Sequence, residues 1–150
     1  MSYNPAEGFP QVVPALLYED VDAAAEWLSR VFGYRELLRW VGPDGRMGHA
    51  DMELEGGIIM LDAGGEGYRN PEQGAQPSAY IVVWVEDVDA HFERVRAAGG
   101  AIVEEPGDRP WGLRQYMVRD LEGHTWEFTQ HIRNVQPEDW GAEAVDPAYP

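Results

Sequence analysis

The chain contains no cysteine, which removes disulfides, thiolate metal sites and cysteine nucleophiles from consideration. It is short of positive charge: 11 Lys and Arg stand against 27 Asp and Glu, a formal net charge of −16. A phosphate backbone is held by clustered basic side chains that release its counterions, so here repulsion dominates and nucleic acid and anionic membrane are not expected partners. The acidity reads either as solubility or as attraction of a cationic ligand. No stretch approaches the roughly 18–20 apolar residues of a membrane-spanning helix. The opening MSYNPAEGFPQ lacks the positive start and apolar run of a secretion signal, so a cytoplasmic location is the expectation. A Gly-rich phosphate loop, a G-x-S-x-G elbow and an H-E-x-x-H pair are also missing.

What is there is a repeat. Glu19-Asp20-Val21-Asp22-Ala23 returns as Glu86-Asp87-Val88-Asp89-Ala90, 67 residues later. The same shift carries Leu54-Glu55-Gly56 onto Leu121-Glu122-Gly123 and Gly33 onto Gly100. One offset at three separated places indicates duplication of a supersecondary unit, since two copies of such length do not make a solenoid. In each copy a run rich in β-branched and aromatic residues (12–18, 79–85) meets Glu-Asp-Val-Asp-Ala, whose first Asp suits a helix N-cap. Apolar residues at helical spacing follow (21–31, 88–98), and glycine ends each helix. Three strands complete each copy, at 36–41, 48–53 and 58–62, then 101–104, 113–119 and 125–131.

The predicted fold is therefore α+β, with two βαβββ modules forming a curved mixed sheet around a central cavity. One domain spans 1–133, with module one at about 10–63, a turn-rich, mobile linker at 64–78 and module two at about 79–131. Residues 134–150 read as an extended tail that Trp140 and Tyr149 could anchor to the domain or to a partner subunit.

Val85-Glu86-Asp87-Val88-Asp89-Ala90 leads a helix ending Ala97-Ala98-Gly99-Gly100. Pro110-Trp111-Gly112 and Asp120-Leu121-Glu122-Gly123-His124-Thr125-Trp126-Glu127-Phe128 follow. Together they resemble the second module of the glyoxalase / bleomycin-resistance / extradiol-dioxygenase superfamily, also called the vicinal oxygen chelate superfamily. Leu121 stands where the family's D-P-x-G-x-x-x-E ending has proline. The resemblance runs from Val12 to His131 and implies half-cup modules around a ligand cavity, usually in a homodimer. It also implies four metal-ligand positions in the metal-dependent members, which fall here on Val13, Met60, Tyr80 and Glu127. The repeat pairs these positions as Val13 with Tyr80 and Met60 with Glu127. Of the four, only Glu127 is a good ligand for a divalent metal, which needs about three converging His or carboxylate groups. Neither a metal nor another cofactor is expected.

His49, Asp51 and Glu53 alternate along one strand and share a face. A three-residue hairpin loop at Glu53–Gly57 would set Ala50 opposite Met60 and turn that trio away from the cavity. A two-residue loop would reverse the parity. His91, on a helix, and His124, in a turn, read as structural, while His131 stays open. The longer-loop parity lines the cavity with Val13, Ala15, Leu17, Ala50, Met52, Ile58, Met60, Tyr80, Val82, Trp84, Gln115, Met117, Thr125, Glu127 and Thr129. The opposite parity, including Leu16, Ile59, Leu61, Ile81, Val83, Val85, Trp126 and Phe128, packs under the helices.

Such a lining suits a flat apolar or cationic aromatic molecule, although the same residues could fill a collapsed core. The ligand-binding candidates are Val13, Met60, Tyr80, Trp84, Trp111, Gln115, Met117 and Glu127, with Trp111 and Trp40 placed to overhang the mouth or to serve core or interface. Glu127 is the candidate catalytic residue, as a base of raised pKa. It could instead be a counter-charge for a ligand cation, or a salt-bridge partner of Arg114 or Arg119. The preferred reading is a metal-free protein that binds and sequesters a drug or natural product. The alternatives are a lyase, isomerase or dioxygenase, and a regulatory or interaction module without a ligand.

Overall fold

The computed structural model describes residues 5–146 and 148; Tyr149 lies outside them. After one turn, α1 (Pro5–Gly8), two βαβββ modules follow. Module one holds β1 (Ala15–Tyr18), α2 (Val21–Trp27), β2 (Arg35–Val41), β3 (Met47–Leu54) and β4 (Gly57–Ala63). Module two holds β5 (Ile81–Trp84), α3 (Val88–Ala97), β6 (Ala101–Asp108), β7 (Leu113–Arg119) and β8 (Thr125–His131). The strand orders β1-β4-β3-β2 and β5-β8-β7-β6 correspond position by position, with parallel β1–β4 and β5–β8 pairs and antiparallel pairs elsewhere. The architecture is α+β and duplicated, as the repeat predicts. No helix among the described residues is long and apolar enough to cross a membrane.

The repeated Glu-Asp-Val-Asp-Ala segment starts both helices in the same way. Asp20 accepts from Ala23 N and Asp87 from Ala90 N, each at 3.0 Å, filling one of the donors that a helix start leaves open. The two helices end differently. Below α2 the chain widens into a π turn, Leu28–Phe32, which buries Leu28, Val31 and Phe32 together. Gly33 then closes it with φ +88°. Arg94 of module two donates to the freed carbonyls of Ser29 and Arg30 at 3.2 and 3.4 Å, a cation at a helix C-terminus.

The second repeated element joins the modules. Glu122 accepts from Glu19 N at 2.7 Å and Asp20 N at 3.1 Å, while its counterpart Glu55 accepts from Glu86 N at 2.9 Å. Each module's β-turn thus satisfies the backbone at the other module's strand-to-helix junction. Between these turns, Phe32 makes edge contacts with Trp126 and Phe128 at 5.2 and 4.9 Å, so both modules share one core. Buried Asp120 accepts from the Tyr18 hydroxyl at 2.7 Å and Trp126 Nε1 at 3.1 Å.

Segment 64–78 bonds to the modules at several of its residues. Tyr68 donates its hydroxyl to Leu17 O at 2.7 Å, and Asn70 caps the 3-10 turn Pro71–Gln73 while donating Nδ2 to Glu122 at 3.1 Å. In the tail, Trp140 meets Trp111 edge-on at 5.7 Å, which anchors residues 137–140 on module two.

His91 bridges the modules as a neutral ring. Phe32 O can only accept, so Nε2 donates to it at 2.8 Å and Nδ1 accepts from the Tyr116 hydroxyl at 2.6 Å. Burial holds this imidazole's pKa below its ordinary 6.5, with Arg94 adding to the effect. The unfolded chain therefore takes up the proton first as pH falls. Stability contributed by neutral His91 should be intact above 6.5 and lost progressively below it. Urea midpoints between pH 7.5 and 5 should fall, and more steeply for the wild type than for His91→Gln; parallel slopes would remove this role.

Candidate functional site

In each sheet one face packs beneath a helix and the other is open. In module two the parity is as predicted. Met117 pairs with Glu127, Gln115 with Thr129, Val82 with Glu127 and Trp84 with Thr129, so these side chains share the open face. Trp126, Phe128, Tyr116 and Val118 occupy the opposite, fully buried face. Tyr80, Val82 and Trp84 are 55%, 46% and 57% exposed, and Leu17 on β1 is 43% exposed. Apolar side chains standing in water along a strand form a stacking surface and an unpaired layer.

The polar groups of this face converge on β7 and β8. Gln115 Nε2 donates to Glu127 at 2.9 Å. Burial pushes the Glu127 carboxyl above its ordinary pKa, with Arg109 opposing and Glu104 reinforcing the shift. Arg109 reaches Glu104 at 2.6 Å. Arg114, one of the two alternative salt-bridge partners, instead bridges Asp89 at 3.0 Å and Asp108 at 2.8 Å. The Thr129 hydroxyl is fully buried and, among the described residues, has no hydrogen-bond partner. Trp111, 40% exposed, sits in the β6–β7 loop against Trp140. Gly112, at φ +85°, holds that loop, because a Cβ there would lie 2.2 Å from Arg133 O.

Module one departs from the expected parity. Its hairpin closes with two residues, Glu55 at φ 49° and Gly56 at φ 90°, and Leu54 pairs with Gly57. Both central residues being left-handed is the type I′ signature. Asp51, not Ala50, therefore lies opposite Met60, and His49 lies opposite Asp62. Ala50 and Met52, expected in the cavity lining, are fully buried on the helix side. The open face instead carries Ala15, Leu17, Ile58 and Met60 together with His49, Asp51, Glu53 and Asp62.

His49 is held between two acids: Nδ1 is 2.7 Å from Asp62 and Nε2 is 2.9 Å from Asp51. Asp51 is 1% exposed, so the buried acid orients the ring and the outer acid faces the opening. Partial burial disfavours the charged ring, but the bonds to Asp62 and Asp51 outweigh it and raise the pKa. The two-residue loop, the alternative that the sequence left open, is the one adopted; the sequence reading grouped His49 and Asp51 with Glu53 and missed Asp62.

The four positions that would hold a metal in metal-dependent relatives occupy corresponding places here. Val13 lies just before β1, Met60 in its row, Tyr80 just before β5, and Glu127 on β8. Val13 and Met60 supply no oxygen or nitrogen, and Glu127 is bonded to Gln115. Among the described residues no three His, Asp or Glu side chains are placed to hold a metal ion. The donor set does not fit the metal of those relatives.

A model of the Glyoxalase/Bleomycin resistance protein/Dioxygenase superfamily matches residues 9–128, which cover module one and module two as far as Phe128 in β8. The chain is similar to TioX from Micromonospora sp. ML1, with 48% identity, a TM-score of 0.67, and coverage of 85% of this chain and 100% of that one. It is 26% identical to a glyoxalase/bleomycin resistance protein/dioxygenase from Nocardioides, with a TM-score of 0.60 and coverage of 85% and 87%. An uncharacterized protein of Mycobacterium bovis is 33% identical over 136 residues, covering 87% of this chain and 89% of its own. On the duplicated fold and the match across both modules, the chain belongs to the glyoxalase/bleomycin resistance protein/dioxygenase superfamily.

Proposed function

We propose that the chain is a metal-free small-molecule binding protein that sequesters an apolar or cationic aromatic drug or natural product in the cytoplasm, acting as a homodimer. The observation that carries this reading is the module-two face, where exposed Tyr80, Val82 and Trp84 flank a polar pair, Glu127 and Gln115. A flat ligand gains dispersion and stacking on the aromatic surface, and Glu127 offers a partly desolvated counter-charge to a cation. Exposed Leu17 on β1 favours a second subunit, because covering it removes apolar surface from water.

Tryptophan fluorescence against a panel of cationic and neutral aromatic compounds tests the reading, with sedimentation equilibrium on the same samples. Saturable quenching and a dimer mass are expected. Glu127→Gln should weaken cation binding by about tenfold, the value of one ordinary charge pair, while leaving neutral aromatics unchanged. Equal losses for both classes would refute the counter-charge role, and a monomer with no quenching would refute the reading itself.

A further inference from the structure

A groove of about 850 Å3 opens at one end of module one, where parallel β1 and β4 finish and the β2–β3 hairpin turns. None of the side chains that carry the module-two face lines it. Its buried lining is apolar and comes from Tyr18, Val21 and Met47. Two aromatic rings stand beside that lining, and glycine seats each of them. The β2–β3 register shifts between Trp40 and Val41, passing over Gly48, and the Trp40 ring fills the space. A Cβ on Gly48 would come within 2.7 Å of that ring. Trp40 is nonetheless 56% exposed, so most of its surface stays in water. Tyr68 rests on Gly64 so closely that a Cβ there would overlap its ring, and its hydroxyl is fixed to Leu17 O at 2.7 Å. Exposed Glu19, Asp22 and Asp44 complete the lining with Asp20, against one cation, Arg46. Glu19 takes the Gln73 amide and Asp44 the Arg46 N–H, while neither Asp22 nor Asp44 forms a salt bridge among the described residues.

We propose that this groove is a second ligand site, separate from the module-two face, and that it takes a planar heteroaromatic cation against Trp40 and Tyr68. The volume lies within the usual range of small-molecule sites. An apolar lining with two ring faces gives dispersion and stacking to any flat molecule. The same faces attract a positive charge, and the surplus of carboxylates over Arg46 adds a long-range pull that a neutral molecule does not feel and an anion opposes. Both rings are held before a ligand arrives, Tyr68 by its hydroxyl and its seat on Gly64, Trp40 by its seat on Gly48. Little side-chain freedom is therefore lost on binding. Because Tyr80, Trp84 and Glu127 take no part in the groove, one chain would carry two independent sites. The inference thus goes beyond the module-two reading and does not depend on it.

The test uses the whole chain and 1-methylquinolinium, whose charge does not titrate, with quinoline at pH 8 as the neutral comparator. Proton–nitrogen spectra of the indole groups report each tryptophan separately, and Trp40→Phe assigns the Trp40 signal. Saturable movement of the Trp40 signal is expected, with the cation bound about tenfold more tightly than quinoline. Asp22→Asn combined with Asp44→Asn should remove that preference and leave quinoline within about twofold, since asparagine at the second position keeps an acceptor for Arg46 N. Gly48→Ala, which pushes the Trp40 ring off its seat, should weaken both compounds about tenfold in the groove without altering the Trp84 response. A Trp40 signal that stays still while that of Trp84 moves overturns the groove and leaves the module-two reading standing. Movement of Trp40 with Trp84 unmoved upholds the groove and removes that reading, and movement of neither removes both. A preference for the cation that survives the double asparagine variant overturns the charge-based choice of ligand.

Discussion

Asp120→Leu should cost about 3–5 kcal/mol of folding stability, because it deletes a buried carboxylate on which four donors converge. The Tyr18 hydroxyl and Trp126 Nε1 reach one oxygen at 2.7 and 3.1 Å, and the backbone N–H groups of Glu122 and His124 reach the other at 3.0 Å each. Tyr18 and Trp126 are both fully buried, so their donors would find no water in exchange. Leucine keeps the branching and heavy-atom count of the carboxylate, so no cavity opens, although its bulkier methyl groups add some crowding to the cost of the orphaned donors. Asp120→Asn keeps one acceptor but points an NH2 at two of the donors, and should recover only part of the loss. Urea denaturation with fluorescence and circular dichroism measures both variants. A loss below about 1 kcal/mol for the leucine variant would mean that this polar knot does not hold the modules together.

Phe32→Ala comes next in expected effect, at about 3–5 kcal/mol, the usual range for truncating a buried aromatic. Phe32 touches Trp27 at 4.8 Å within its own module, and Trp126 and Phe128 at 5.2 and 4.9 Å in the other. The cavity would therefore open between modules, where neither sheet can close over it. Phe32→Leu keeps most of the volume and should cost less than half as much. Because the residue couples two modules, the two probes should also part company in the alanine variant, with near-UV signals from Trp126 changing at lower urea than the far-UV signal. Coincident transitions with an unchanged m-value would show that the modules still melt as one.

The duplicated fold was legible because it is written in residues whose jobs are local. Asp20 and Asp87 cap helices, and each does so in the structure. The parity of module two was legible because the Asp120–His124 turn returns β8 in the register that alternation demanded. Module one was not, since the same Leu-Glu-Gly tripeptide closes both hairpins. In the second copy Asp120 gathers the N–H groups of Glu122 and His124, which spreads the turn over five residues from Asp120 to His124. At the matching place Glu53, one methylene longer, accepts from Gly56 N at 2.8 Å instead, and the turn tightens to Glu55-Gly56. The two turns differ at Glu53 against Asp120 and at Gly57 against His124, and with the tighter turn His49, Asp51 and Asp62 meet on the open face. The docking of the modules was equally hidden, because the bonds from Glu55 and Glu122 reach 31 and about 103 residues along the chain and no spacing rule covers such contacts.

Those reciprocal glutamate bonds bear on how the chain came to exist. A half-length polypeptide with a single module could satisfy its strand-to-helix junction from the turn of an identical neighbour, and would give its own turn in return. Two such halves would sit about a twofold axis, each mending the other. Fusion of the pair end to end would turn that association into an internal one, free of any dependence on concentration. Once joined, the halves were at liberty to diverge wherever the shared bonds were not involved, and the unlike faces around Glu127 and His49 lie in that unconstrained territory.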